Sequence, residues 1–247
     1  MTILFAGLDH IATLRQAGGG RDPDPVAAGA LAELAGAGGI TLTCGRDRTG
    51  TSDRDLRLLR ETSRTALNVC LPPQEEWVKL ALDVRPDLVT LIPEGREVQG
   101  VERGLDVEDR RSELAPVVQT LRASGIGVSV LVDPVAVQVK AAHRVGMDAV
   151  LLYTGGLSWA GDVAGRAAEF EALVNAAKVG HKLRLAVHAG GGLSYQTVGS
   201  VARILEIEAI HIGHGLIARA ALVGIREAVR EMLRAMGGPM GSRTPEA

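Results

Sequence analysis

Short apolar runs alternate with longer segments of helical periodicity along the whole chain. Eight apolar runs have the length of buried strands, and they cover residues 3–8, 40–43, 66–71, 87–92, 126–132, 149–153, 183–188 and 209–212. The segments between them place apolar residues at helical spacing, which predicts a helix after each strand. Such alternation is typical of a parallel sheet. The pattern therefore predicts an α/β fold, a single (β/α)8 TIM barrel, with a doubly wound open sheet as the alternative.

Local signals set the ends of several predicted elements. Asp24-Pro25 supplies a capping residue and a proline at the first helical position, and Asp53 and Asp133-Pro134 are predicted to open helices in a similar way. The glycines at 18–20 predict a loop after the first strand. Residues 1–236 are expected to form the barrel, with a frayed tail over 237–247. Helices with both ends assigned are predicted at 26–37, 53–62, 75–84, 106–124, 164–179, 195–205 and 217–236.

Composition agrees with a soluble enzyme-sized domain. The chain has 247 residues, 46% of them apolar and 23% charged, with a formal net charge of -2. This balance gives no electrostatic basis for binding nucleic acid or an anionic membrane. No apolar run reaches membrane-spanning length. The two cysteines, Cys44 and Cys70, do not make a disulfide framework, so a cytoplasmic location is expected.

Two glycine turns follow the last two predicted strands. The first is Gly190-Gly191-Gly192, with a helix expected to begin at Ser194, and the second contains Gly213 and His214. Backbone N–H groups clustered at such turns bind anions, and barrels of this type hold phosphate after their seventh and eighth strands. The turns therefore predict a phosphate site, with a plain tight turn as the alternative.

Other candidate residues lie where predicted strands end, since functional groups of a barrel gather there. The catalytic candidates are two imidazoles, His10 and His188, a nucleophilic thiol, Cys70, and a carboxylate, Asp133. His10 is the candidate for acid/base work. Each has a structural alternative, namely packing, a small buried hydrophobe or a helix cap. The substrate- or phosphate-binding candidates are Asp9, Thr43, Thr154, Gly190, Gly191, Gly192, Gly213 and His214. His211 is expected to be structural.

The charged loop after the second predicted strand is interpreted as a substrate clamp or as a solvated loop. The charged loop after the fourth is interpreted as a mobile lid or as a polar surface loop. No spacing of cysteine, histidine or carboxylate residues matches a metal site, and no dinucleotide or P-loop fingerprint is present.

Taken together, several strings resemble the pyridoxine 5'-phosphate synthase family. They run collinearly from about residue 6 to about residue 236 and include Leu8-Asp9-His10-Ile11-Ala12-Thr13-Leu14-Arg15, Ser52-Asp53-Arg54-Asp55, Tyr153-Thr154-Gly155 and Ile212-Gly213-His214. The first and the last of these are the specific ones. The resemblance implies a cytoplasmic TIM barrel that forms homo-oligomers, typically octamers. It also implies condensation of 1-deoxyxylulose 5-phosphate with 3-amino-2-oxopropyl phosphate, without a metal or organic cofactor.

The chain departs from the family pattern at the positions that carry the chemistry. Two histidines and two glutamates of the family are replaced here by Thr43, Gly191, Cys70 and Leu151. The family's arginine two residues after Thr43 is Gly45, its asparagine before the Asp-His pair is Gly7, and an arginine of the first loop is replaced near Gly18. His188 stands in place of a family asparagine.

Three functions stay open at this point. The leading hypothesis is a diverged synthase acting on a small, phosphorylated or carbonyl/amine metabolite by condensation or cyclisation. The alternatives are the parent synthase reaction and a non-catalytic protein that binds phosphate or a B6 vitamer. Lost acid/base groups, each worth about 10²–10⁴ in rate, weigh against the parent reaction.

Overall fold

The computed structural model describes residues 2–45, 51–94 and 104–237. Eight parallel strands form a closed barrel in sequence order, which confirms the predicted TIM barrel and excludes the open sheet. The strands are β1 (Ile3–Gly7), β2 (Gly39–Thr43), β3 (Ala66–Leu71), β4 (Leu88–Leu91), β5 (Gly127–Val132), β6 (Ala149–Tyr153), β7 (Ala186–Gly190) and β8 (Ala209–Ile212). Most of the predicted tail, 238–247, lies outside the described residues.

Eleven helices surround the barrel within the described ranges. They are α1 (Asp9–Gly18), α2 (Pro25–Leu34), α3 (Asp53–Thr62), α4 (Glu75–Val84), α5 (Arg111–Ala123), α6 (Ala136–Val145), α7 (Gly155–Trp159), α8 (Val163–Lys182), α9 (Val198–Val201), α10 (His214–Val223) and α11 (Ile225–Ala235). The single helix predicted over 217–236 is two, because Gly224 adopts φ 80 and interrupts it.

The first predicted loop is a helix instead. Residues 9–18 form α1, whose buried face carries Ile11 and Ala12. The glycines that suggested a loop end this helix, because Gly19 adopts a left-handed conformation with φ 63 and its N–H donates to the carbonyl of Gln16.

Helix starts agree with the sequence signals only in part. The side chain of Asp24 accepts a hydrogen bond from the N–H of Val26 at 2.9 Å and caps α2, as predicted. For α3 the cap is Ser52, which forms a reciprocal capping box with Asp55. Asp133 does not cap α6. The N-cap residue of α6 is Val135, which makes no side-chain capping hydrogen bond. The Asp133 carboxylate instead accepts a hydrogen bond from the Gly104 N–H at 2.8 Å.

The seventh strand is shifted toward the C-terminus relative to the prediction. Leu183 caps the C-terminal end of α8, and Arg184 adopts a left-handed φ of 63, so the strand begins at Ala186 and ends at Gly190. The helix predicted over 195–205 shrinks to the single turn α9. This shift changes the position of His188 within the barrel.

A buried ion pair joins α1 to α3. Two guanidinium nitrogens of Arg15 donate to the two carboxylate oxygens of Asp55 at 2.8 and 2.5 Å, and Asp55 is fully buried. Burial alone raises the pKa of the Asp55 carboxyl, but hydrogen bonds from Arg15 and Ser52 outweigh burial and hold the pKa below its usual value.

Replacing Arg15 with methionine is expected to destabilise the fold strongly. The Arg15→Met variant leaves the Asp55 carboxylate buried without its main partner, which costs on the order of 3 kcal/mol. Urea unfolding measures the loss. The matched control is Lys79→Met on α4, whose exposed partner is Glu75, and little change is expected there. Equal stabilities of the two variants would contradict a structural role for the buried pair.

Candidate functional site

A cavity of about 590 Å³ opens at the C-terminal ends of the strands. Nine of the twelve candidate residues from the sequence line it: Asp9, His10, Thr43, Cys70, Gly190, Gly191, Gly192, Gly213 and His214. The other three candidates, Asp133, Thr154 and His188, are not among the lining residues. The cavity therefore assembles most of the predicted site from β1, β2, β3, β7 and β8.

Two candidates tie neighbouring strand ends together. The Asp9 carboxylate accepts from the backbone N–H of Thr43 at 2.6 Å and from its hydroxyl at 3.1 Å. The Thr154 hydroxyl donates to the carbonyl of Gly191 at 2.6 Å, and its N–H donates to the carbonyl of Gly190. Both contacts fix the rim of the cavity. Thr154 is buried and does not line the cavity itself.

The first glycine turn has the backbone that only glycine adopts easily. Gly191 and Gly192 have φ values of 100 and 77, in the left-handed region. A Cβ at Gly191 would lie 2.6 Å from two ring atoms of Tyr153. The ring of Tyr153 thus occupies the space next to the position where the resembled family carries a histidine.

The second glycine turn leads directly into a helix. Gly213 precedes α10, a helix of 10 residues that begins at His214. Its unpaired N–H groups and dipole favour an anion at this end. By contrast, the helix expected at Ser194 is absent there, because residues 194–197 form a turn before α9. The His10 and His214 rings meet edge to face, with centroids 5.1 Å apart, beside this turn.

Beneath the cavity, five polar side chains form a hydrogen-bonded belt inside the barrel. We call Thr41, Asn68, Thr90, His188 and His211 the polar belt. The Thr90 hydroxyl donates to Asn68 Oδ1 at 2.8 Å, and Asn68 Nδ2 donates to the Thr41 hydroxyl at 3.3 Å. Thr41 Oγ1 lies 2.9 Å from His211 Nδ1, and His211 Nε2 lies 3.1 Å from His188 Nδ1.

The hydrogen bonds of the polar belt accommodate neutral imidazoles. Asn68 donates to the Thr41 oxygen, which leaves the Thr41 hydroxyl hydrogen free to point toward His211 Nδ1. In that arrangement His211 Nε2–H would donate to His188 Nδ1, and each ring would carry one proton. Burial lowers the pKa of His188 to about 4. Burial, together with the neighbouring His188 ring, also holds the pKa of His211 well below its usual value.

Aromatic packing also fixes the orientation of His211. Phe5 stacks on its ring with a centroid distance of 4.4 Å and an interplanar angle of 10°. A Cβ at Gly39 would lie only 2.3 Å from the Phe5 ring, so this glycine makes the room that Phe5 needs. His211 lines the cavity floor, whereas His188, predicted at the mouth, lies deeper because β7 continues two residues beyond it.

The two cysteines lie on opposite faces of the sheet. Cys70 points into the barrel, lines the cavity and accepts a hydrogen bond from Asn68 Nδ2 at 3.4 Å. Cys44 belongs to the large core cluster between strands and helices, whereas Cys70 belongs to a smaller, separate cluster. Only Cys70 is therefore placed to meet a ligand in the cavity.

The four positions at which the resembled family pattern has a histidine or a glutamate converge on this one cavity. Thr43, Cys70, Leu151 and Gly191 come from four different strands or their ends, and all four line it. Among the described lining residues, the ionisable side chains are Asp9, His10, Cys70, Tyr153, His211 and His214. That part of the lining contains no glutamate, lysine or arginine. The charged loops 46–50 and 95–103 lie outside the described residues.

Sequence reasoning missed the polar belt and the aromatic rim. Thr41, Asn68 and Thr90 each interrupt an otherwise apolar strand, and that repeated interruption was the available signal. Trp159 and Tyr153 also line the cavity, but α7, which carries Trp159, has too few residues to show a periodic pattern.

Residues 2–45, 51–94 and 104–237 contain neither a metal-binding cluster nor a membrane-spanning helix. No group of three or more histidine, cysteine or acidic residues in these ranges is arranged to hold a metal ion. None of the helices described has the length and apolar character needed to cross a membrane.

Comparison with known proteins gives a consistent result over nearly the whole chain. The profile of the family described as "Pyridoxal phosphate biosynthesis protein PdxJ" matches residues 4–238. A pyridoxine 5'-phosphate synthase of Syntrophotalea carbinolica is 48% identical over 238 residues, which cover 96% of this chain and 100% of the relative. The protein of the same name from Synechococcus sp. is 50% identical over 237 residues, covering 96% and 99% of the two chains.

A solved structure shares the fold at low sequence identity. A 4-hydroxy-2-oxoglutarate aldolase superposes with a TM-score of 0.58 at 14% identity, covering 95% of this chain and 93% of the other. At this identity the likeness concerns the barrel alone.

The buried histidine pair is expected to make the fold acid-sensitive. The two histidines have lower pKa values in the folded chain than the value of about 6.5 expected in the unfolded chain. Below pH 6.5 the unfolded chain therefore binds more protons than the folded chain. The free energy of unfolding has its full value above that pH and falls as the pH is lowered toward 4. His188→Asn is expected to flatten this dependence by up to about 1.4 kcal/mol per pH unit. Urea unfolding between pH 7 and pH 5 measures the slope.

The control for this experiment is His181→Asn, on the exposed surface near the end of α8. It leaves the polar belt intact, so its slope is expected to match that of the unaltered chain. A His188→Asn slope equal to that of the control would contradict the assignment of buried neutral imidazoles.

Substitution at the first glycine turn tests its strained backbone. Gly191→Ala introduces a Cβ at φ 100 and against Tyr153, and a loss of about 1–3 kcal/mol is expected. Gly19→Ala, at φ 63 with open space around it, isolates the cost of the backbone alone. Thermal unfolding compares the two, and a Gly19 variant that loses more would contradict the contact with Tyr153.

Proposed function

Because the chain belongs to the family of the pyridoxal phosphate biosynthesis protein PdxJ, we propose that it is a condensing synthase that takes small phosphorylated substrates at the mouth of its barrel. The observation that carries the proposal is the cavity between β7, β8 and β1, in which two glycine turns and the start of α10 face the same space. Oriented backbone N–H groups of this kind recognise phosphate without a charged side chain.

The phosphate end of the ligand is assigned to the two glycine turns. Gly191, Gly192 and Gly213 let the backbone approach closely, and His214 begins α10 beside them. His10 lies against His214 and completes this polar side of the cavity. Asp9 and Thr43 bind each other and shape the adjoining rim.

The first candidate reaction is the one that the relatives' name describes. Proteins 48% and 50% identical over nearly the full length are named pyridoxine 5'-phosphate synthase. For this chain the substrates would be 1-deoxyxylulose 5-phosphate and 3-amino-2-oxopropyl phosphate, with His10 and Cys70 as the proton-transfer groups facing the cavity. Asp133 stays a weaker catalytic candidate, because its carboxylate already holds the Gly104 N–H.

The second candidate is a related condensation of another phosphorylated or carbonyl/amine metabolite. The specific observation in its favour is the lining itself, where Thr43, Cys70, Leu151 and Gly191 replace ionisable residues of the family pattern around one cavity. Altered lining on a retained scaffold is typical of altered chemistry. For this reaction, the imidazole that faces the ligand at the floor of the cavity would be that of His211, which is hydrogen-bonded to His188.

The deciding assay supplies the two family substrates to the purified protein. Formation of pyridoxine 5'-phosphate, followed by chromatography and absorbance, is the expected result. In His10→Gln, kcat/KM is expected to fall by about 100-fold, because an acid/base group typically contributes at least that factor. The matched control is Cys44→Ala, behind the sheet, which is expected to leave the rate unchanged.

Outcomes other than product formation separate the remaining candidates. Thermal stabilisation by phosphorylated substrates without product favours the second candidate or a non-catalytic phosphate binder. If the protein forms no product and none of the phosphorylated substrates stabilises it, the proposal is overturned. Assembly into a homo-oligomer, an octamer by the family pattern, and residence in the cytoplasm stay predictions of the sequence.

A further inference from the structure

Three members of the polar belt form a continuous line of hydrogen-bonding atoms that starts at the cavity floor. Thr41 Oγ1 lies 2.9 Å from His211 Nδ1, and His211 Nε2 lies 3.1 Å from His188 Nδ1. Thr41 and His211 line the cavity, whereas His188 is not among the lining residues. The line therefore joins the space for the ligand to an imidazole outside that space.

The positions of these atoms are compatible with two opposite orders of donors. In the first order the Thr41 hydroxyl donates to His211, and His211 Nε2–H donates to His188. In the second order His188 Nδ1–H donates to His211 Nε2, and His211 Nδ1–H donates to the Thr41 oxygen. Asn68 donates to that oxygen in both orders. In the second order the Thr41 hydrogen is therefore left to donate to an oxygen in the cavity.

The surroundings hold the three side chains in place while the order of donors changes. Thr41, His188 and His211 are all buried, and Phe5 stacks on the His211 ring with a centroid distance of 4.4 Å. The two orders differ only in the positions of hydrogens, so the heavy atoms keep their places. Histidines in such hydrogen-bonded lines transfer protons from one group to the next.

We propose that Thr41, His211 and His188 form a proton relay that delivers protons to a ligand oxygen at the cavity floor. This inference rests on the proposed condensing function, because joining an amine to a ketone expels the carbonyl oxygen as water. Departure of that oxygen needs a proton donor. Thr41 is thereby assigned as a further proton-transfer residue, and His188, which acts through His211, as a positioning residue.

The protons and electrons of the step balance. The nitrogen lone pair of the carbinolamine forms the C=N bond, the C–O electron pair leaves with the oxygen, and the oxygen takes the Thr41 proton. His211 Nδ1 returns a proton to Thr41, and His188 Nδ1 returns one to His211 Nε2. His188 Nε2 then takes a proton from water, since 9% of the surface of this residue is accessible. The iminium ion gives its N–H proton to solvent at the cavity mouth, which neutralises the remaining hydroxide.

The relay does not need a charged histidine. Each ring gains one proton as it gives up another, so neither becomes an imidazolium ion. This agrees with the low pKa values that burial gives both rings.

Turnover of 1-deoxyxylulose 5-phosphate and 3-amino-2-oxopropyl phosphate tests the Thr41 hydroxyl. Thr41→Val is close in shape but lacks the oxygen, and kcat is expected to fall by about 100-fold while KM changes by less than about twofold. Thr41→Ser restores the hydroxyl and is expected to recover most of kcat. Thermal unfolding checks that both variants fold.

Substitution of His188 tests the other end of the relay. His188→Asn replaces the imidazole by an amide that does not pass a proton between its two ends, and a similar loss of kcat is expected. The matched control is His181→Asn on the exposed surface, which is expected to leave kcat unchanged.

Nitrogen-15 NMR gives a measurement that does not depend on turnover, because it distinguishes a proton on Nδ1 from one on Nε2. On saturation with 1-deoxyxylulose 5-phosphate at neutral pH, His188 and His211 are both expected to carry the proton on Nδ1. A ligand oxygen that accepts from Thr41 selects this order of donors. In Thr41→Val the same ligand is expected to leave both tautomers unchanged. The signals are assigned from the His188→Asn spectrum.

The outcomes separate the relay from the proposed function. Full kcat in Thr41→Val or His188→Asn, or a bound substrate that leaves either ring with its proton on Nε2, would overturn the relay and leave the synthase reaction standing. If the substrate binds without reacting, the two tautomers still decide for or against the relay. If the substrates neither bind nor react, the proposed function is overturned, and the relay falls with it.

Discussion

The hydrogen bonding of the polar belt is the constraint on which the interior of this barrel depends. Barrel interiors are usually filled by bulky branched side chains, whereas here Thr41, Asn68, Thr90, His188 and His211 lie across the middle. Each buried polar group is costly unless it has a partner. The hydrogen bonds that run from Thr90 to His188 supply those partners, and Phe5 stacks on His211 to hold it in place. The floor of the cavity is the upper surface of this belt.

The cavity above the belt combines backbone groups with a mixed side-chain lining. Its frame is the glycine turns after β7 and β8 and the start of α10. Its side-chain lining includes Thr43, Cys70 and Leu151, which face the same space. Backbone N–H groups suited to an anion and ionisable side chains thus open on one cavity.

Sequence reasoning located the strands because each is a continuous apolar run buried on both faces. The bounds of β3, β6 and β8 match the predicted ones, and the positions of Cys70, Gly213 and His214 at the mouth follow from them. His188 was misplaced because the predicted seventh strand, 183–188, ends two residues before the observed β7. Arg184, whose left-handed φ no composition rule signals, belongs to the turn that precedes β7 and delays its start to Ala186. The polar belt escaped notice because its bonds join different strands, and pairing register is not readable from one strand alone.

The ties between neighbouring strand ends have a consequence for how such a site changes over time. Asp9 with Thr43, Thr154 with Gly191 and Asp133 with Gly104 each hold the rim through a side chain bonded to a backbone group, and Asp9 also accepts from the Thr43 hydroxyl. Since these ties do not use the apolar side chains of Ile92, Leu131 and Leu151, those lining positions can accept substitutions without loosening the rim. Exchange of side chains at these positions would leave the backbone groups of the glycine turns in place. The barrel therefore offers natural selection a scaffold in which a binding site can outlast the reaction for which it first arose.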